Sequence, residues 1–101
     1  MALFMIERRL PGAAREDIDA AGFRATSCAF NYPGLRWISS YWDREQERVL
    51  CIYEADSAEQ IAHHSMRARI PCDRIFPVDH IDPAAFAGGH SLAPRADAQL
   101  V

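Results

Sequence analysis

The sequence predicts an α+β fold in the order β-α-β-β-α-β, a four-stranded antiparallel sheet with two helices. Three observations predict it. Four runs rich in apolar, aromatic and β-branched residues are separated by turn signals. Two intervening stretches repeat small apolar residues at helical spacing. The middle two strand-like runs are joined by a polar connection, Asp43-Arg44-Glu45-Gln46-Glu47-Arg48, which reads as a hairpin.

Leu3 to Arg8 is the first strand, ended by the turn signal Leu10-Pro11-Gly12. Arg15-Glu16-Asp17 brings acid to the start of the next segment, which suits a helix N-terminus. Ile18, Ala21, Ala25, Cys28 and Ala29 form that helix's apolar stripe, weakened by Gly22. Asn31-Tyr32-Pro33-Gly34 breaks it. Leu35 to Asp43 and Val49 to Glu54 are the second and third strands. Asp56 or Ser57 caps the second helix, with Glu59 or Gln60 as capping-box partner. Its stripe is Ala58, Ile61, Ala62, Ser65 and Ala68, and Ile70-Pro71 stops it. Arg74 to Ile81 is the fourth strand, and Pro77 within it predicts an edge position. The domain is expected over residues 1–82. Residues 83–101, rich in Ala, Gly and Pro, read as an arm or a disordered end.

Strict alternation puts Leu35, Trp37 and Tyr41 on one face of the second strand, with Ile38 and Trp42 on the other. Val49, Cys51 and Tyr53 oppose Leu50 and Ile52, and Leu3 and Met5 oppose Phe4 and Ile6. Both faces of the sheet are then apolar, and two helices cover only one. A second copy of the sheet is the simplest cover for the other, so a homodimer is expected.

The chain has 101 residues, the size of one domain, and a net charge of −3, which argues against a nucleic-acid binder. No apolar run is long enough to span a membrane, and the apolar start lacks the basic region of a signal peptide. Cys28, Cys51 and Cys72 are odd in number and lack CxxC spacing, so they read as reduced thiols of a cytoplasmic protein. Gly88-Gly89 lacks the Lys-Ser/Thr of a phosphate loop, and Ser40 lacks a nucleophile elbow.

Several blocks in order carry a resemblance. They are Phe4-Met5-Ile6-Glu7-Arg8, Leu10-Pro11-Gly12, Arg36-Trp37 with Ser40-Tyr41, Cys51-Ile52-Tyr53-Glu54-Ala55, and His64 followed by Ile70-Pro71. Together they resemble a family of small bacterial nickel-binding proteins, formerly a domain of unknown function, over residues 3–82. The resemblance implies a ferredoxin-like fold with strand order 4-1-3-2, a dimeric α+β barrel, and nickel or another divalent transition metal as cofactor. Ser65, where that family usually has Ala, and Cys72 depart from the pattern.

With that strand order, Glu7, Tyr41 and Cys51 share a level at one end of the sheet, and the second helix carries His64 toward it. His64 lies three residues after Ile61 and four before Ala68, beside the buried stripe, whereas His63 points away. An imidazole, a thiolate and a carboxylate together suit nickel, zinc or copper, so His64, Glu7 and Cys51 are the candidate metal ligands. In an alternative reading the chain is a dimeric α+β barrel enzyme acting on a small aromatic or polyketide-like substrate. There His64 is acid or base, and Tyr41 or Glu7 donates or orients. In a third reading it is a binding or regulatory module. His64 is then a hydrogen-bonded core residue, Cys51 and Cys28 are small hydrophobes, and Arg36 or His64 pairs with Glu7. Trp37, Tyr41, Trp42 and Tyr53 serve as core, as interface, or as the wall of an organic ligand pocket.

Overall fold

The computed structural model describes residues 2–87. Its elements are β1 (Ala2–Arg9), α1 (Arg15–Ala29), β2 (Arg36–Asp43), β3 (Arg48–Ala55), α2 (Ala58–Arg67), β4 (Arg74–Pro77) and a short helix α3 (Ala84–Ala87). The strands form one antiparallel sheet in the order β2-β3-β1-β4. This is the ferredoxin-like arrangement expected from the sequence. The fourth strand stops at Pro77 instead of Ile81, on an edge that tolerates a residue without an N–H. The reading of residues 83–101 as an arm meets the helical turn α3 at its start, and the rest lies outside the described residues.

Strand parity sets the layers. Phe4 and Ile6 of β1, and Val49, Cys51 and Tyr53 of β3, pack with Ile61 of α2 into the main core. Ala25, Ala68 and Ile70 form a second cluster between the helices. Its small side chains let α1 and α2 approach closely. The opposite face carries Leu3, Met5, Leu50, Ile52 and Phe76, all half-buried, beside the exposed Tyr41. No described element covers that face.

Two local features depart from simple periodicity. In β2, Trp37 pairs with Tyr53 but Ser39 already pairs with Ile52, so a bulge absorbs Ile38. The bulge corrects the expected facing. Trp37, Ser40 and Trp42 share the helix-covered side, opposite Tyr53, Cys51 and Val49, whereas Tyr41 stands over Leu50 on the open side. In α2, Ile61, His64, Ser65 and Ala68 are buried and Ala62 is exposed. The stripe therefore runs through His64, not beside it.

The helix ends follow their signals. Ser57 Oγ accepts from Gln60 N (3.1 Å), and Gln60 Oε1 accepts from Asp56 N (2.9 Å), so Ser57 is the cap. Ile70 N donates to Ser65 O and Arg69 N to Met66 O, a Schellman ending in which Arg69 takes the left-handed conformation (φ 57°). Arg24 of α1 donates to the carbonyls of Ala68 (2.7 Å) and Arg69 (3.3 Å), satisfying the end of α2 with a cation.

Candidate functional site

The register puts Glu7, Tyr41 and Cys51 at one level, and the pleat separates them by face, whereas His64 packs further along, against Tyr32 and Tyr53. Glu7 pairs with Leu50, which pairs with Tyr41; one step along, Ile6 pairs with Cys51, which pairs with Ser40. Glu7 and Tyr41 thus lie on the open face. Cys51 and His64 lie under the helices. Glu7, Cys51 and His64 do not converge within one protomer, because β1 and β3 present their side chains alternately to opposite faces. Among the described residues, no three His, Cys, Asp or Glu side chains are grouped to hold a metal ion.

Glu7 is buried, and its Oε2 receives Arg48 Nη1 at 3.2 Å and Arg9 Nη2 at 3.5 Å. Arg48 Nε also reaches Asp43 Oδ2 at 3.1 Å. The Gln46 N–H and Arg48 hold the Asp43 carboxyl below its ordinary pKa. The expected partners of Glu7 were Arg36 or His64. Arg36 instead pairs with Glu54 (2.9 Å), one strand further across the sheet. Tyr41 is 64% exposed and lies on the open face, opposite the side that carries His64.

His64 is fully buried, and its Nε2 lies 2.9 Å from Ala25 O. A carbonyl only accepts, so Nε2 carries the proton. Burial, and secondarily Arg8, push the imidazole pKa down, although the Ala25 hydrogen bond opposes them. The ring is therefore neutral with a lone pair on Nδ1. That atom is buried and has no partner among the described residues. An imidazole whose other N–H is fixed on a carbonyl is the form that ligates a metal. Tyr32 and Tyr53 flank the ring at 5.5 and 5.9 Å between centroids. Burial pushes the Tyr53 phenol up to about 12, so it stays protonated. His63 is exposed, as expected, yet it meets Tyr32 Oη at 2.6 Å.

The residue that sequence reasoning missed is Arg8. It is 3% exposed, buried among core side chains. Its Nε donates to Cys51 Sγ (3.4 Å), and its Nη1 donates to Ser65 Oγ (3.0 Å) and Pro71 O (2.8 Å). The signal was available: Arg8 continues the inward parity of Phe4 and Ile6. Cys51 Sγ receives a second donor. Trp37 Nε1 donates to Ser40 Oγ (2.8 Å), which turns the Ser40 hydroxyl proton toward the sulfur at 2.9 Å. A thiol approached by a guanidinium is a poor place for a cation. Ser65, the departure noted from the sequence, supplies an acceptor that Ala would lack.

A cleft of about 60 Å³, open to solvent on one side, runs between α1 and the sheet beside Arg8. Ile18, Val49, Tyr53 and Ile70 contribute apolar wall, with Trp37 stacked on Tyr53 at 6.4 Å and 12°.

The element order, register and helix-covered core define a ferredoxin-like α+β protein. The model of the nickel responsive protein SCO4226-like family matches residues 4–78, and the chain belongs to that family. The crystal structure of SCO4226 from Streptomyces coelicolor A3(2) has the same fold, with a TM-score of 0.73 at 21% identity. The match covers 80% of this chain and 100% of that one. No curated protein matches the chain. No helix among the described residues is long and apolar enough to cross a membrane.

Proposed function

We propose that this chain is a nickel-binding homodimer in which His64 is the protein's principal contact with the metal. The supporting observation is the buried Nδ1 lone pair of a neutral imidazole whose Nε2–H is fixed on Ala25 O. Family membership adds the link to nickel. Of the other two sequence candidates, Cys51 shares the His64 side of the sheet but its sulfur faces Arg8 and Ser40, and Glu7 is held by Arg48 on the far side. His64 is the single protein ligand in this reading, and because its Nδ1 is buried, a metal reaches it only when the surrounding packing opens. Such a site suits reversible response to metal better than a permanent structural ion, which takes a closed set of protein ligands.

The donor set decides what bound nickel brings: a Lewis-acidic centre on an imidazole in apolar surroundings. The chain itself orients that imidazole through Ala25 and keeps it deprotonated by burial. The test is calorimetric titration of tag-free, metal-stripped protein with nickel chloride, alongside His64→Gln. Saturable binding that the variant loses supports the reading. No binding above an unrelated control overturns nickel, and unchanged binding by the variant overturns His64.

A further inference from the structure

Arg8 is a buried cation. Among the described residues no carboxylate lies within ion-pair distance of it; its sequence neighbour Glu7 is on the opposite face, held by Arg48 and Arg9. Three of its five N–H groups have acceptors: the Cys51 sulfur, Ser65 Oγ and Pro71 O. Nη2, with its two N–H groups, has none, although it is shielded from solvent. A buried guanidinium in this state carries a large desolvation cost that an acceptor bearing negative charge offsets. Arg8 also lines the cleft between α1 and the sheet, whose other walls are mostly apolar and include the Trp37–Tyr53 stack. Concave, apolar surroundings with one fixed polar anchor are the ordinary design of a small-molecule site. Its charged anchor is cationic and offers only donors, which selects an anion.

We propose that this cleft binds a small organic carboxylate, which displaces the packing over Arg8 Nη2 to pair with the guanidinium and lays its apolar body against Trp37 and Tyr53. The site is separate from the nickel reading, since it uses neither His64 nor a metal. Cys51 and Ser40 help to position it. The chain of donors from Trp37 through Ser40 to Cys51, met by Arg8 Nε, fixes the guanidinium plane so that Nη2 is the group left for the ligand.

The test uses the metal-free full chain with benzoate as probe and benzamide as its uncharged isostere. Binding is followed through the indole N–H resonances of Trp37 and Trp42. Benzoate is expected to shift the Trp37 resonance saturably and the Trp42 resonance little. Benzamide is expected to bind at least about tenfold more weakly, the loss of a charge-assisted hydrogen bond. Arg8→Lys keeps the charge but loses the fork, so it should weaken benzoate without restoring benzamide. Equal affinity for the two probes removes Arg8 as the anchor. An unmoved Trp37 resonance at saturating benzoate overturns the site, and Nη2 is then satisfied by buried water. Because the comparison of probes is made on the unaltered protein, it stands even if the Arg8 variant does not fold.

Discussion

Glu7 and Arg8 are neighbours in sequence and leave β1 on opposite faces. Glu7 meets two arginines at the rim of the open face, whereas Arg8 enters the core and meets only neutral acceptors. One residue of parity thus separates an ion pair from a cation with no carboxylate partner among the described residues. His64 carries the same kind of imbalance in its Nδ1 lone pair. Its pKa is depressed from 6.5 by burial and by Arg8, against the Ala25 hydrogen bond. The unfolded chain therefore takes up a proton at this position more readily than the folded one. Stability contributed by His64 is complete above about pH 6.5, the unfolded value, and falls as pH drops toward the lower folded value. Urea midpoints measured from pH 7.5 to 5 should fall in the parent and fall less in His64→Gln. Parallel curves for the two proteins would assign the acid loss to other groups.

At the scale of elements, β2 and α2 each contain a feature that periodicity alone misplaces. The bulge at Ile38 brings Trp37 onto Tyr53 and Ser40 onto Cys51, and so builds the wall of the cleft. The second feature is the end of α2. Arg69 occupies the left-handed position that glycine takes at little cost, and its side chain is exposed. The Schellman bonds and the burial of Ile70 against Ala25 and Ala68 over-determine that conformation. Arg69→Gly should relieve the strain and stabilise the protein by about 1 kcal/mol, after allowing for glycine's greater freedom when unfolded. A domain of this size converts that to a rise of roughly 4–8 °C in Tm. The Arg24 contact with Arg69 is to its carbonyl and survives the change. A fall in Tm would mean that the Arg69 side chain contributes more than its backbone costs.

For the whole molecule, the open face of the sheet is the apolar surface that no described element covers. Leu3, Met5, Leu50, Ile52 and Phe76 lie together there, bordered by the Arg36–Glu54 pair and the Glu7–Arg48–Asp43 network. An apolar centre with a charged rim is the anatomy of a protein interface. A second copy of this sheet is the proposed occupant, because the same patch on both partners closes a two-fold contact. Sedimentation velocity should report a dimer for the parent and a monomer for Leu50→Glu or Ile52→Lys, which place charge at the centre. A monomeric parent at micromolar concentration would remove the homodimer from the reading.

The sequence by itself determined the order of elements, the breakers, a cap at Asp56 or Ser57, the edge position of β4 and the level at which Glu7, Tyr41 and Cys51 stand. Those features rest on local chemistry and on a period of two or 3.6, which neighbouring residues encode. It also marked His64 over His63, since helical spacing points only one of them inward. The tertiary structure alone decided which of those residues meet. The bulge at Ile38 shifts parity without a sequence signal as plain as glycine. Arg8 finds Ser65 and Pro71 from nearly sixty residues away or more, and His64 finds the Ala25 carbonyl across a helix contact permitted by small side chains. Pairings at such separation depend on how close two elements approach, and packing, not periodicity, sets that distance.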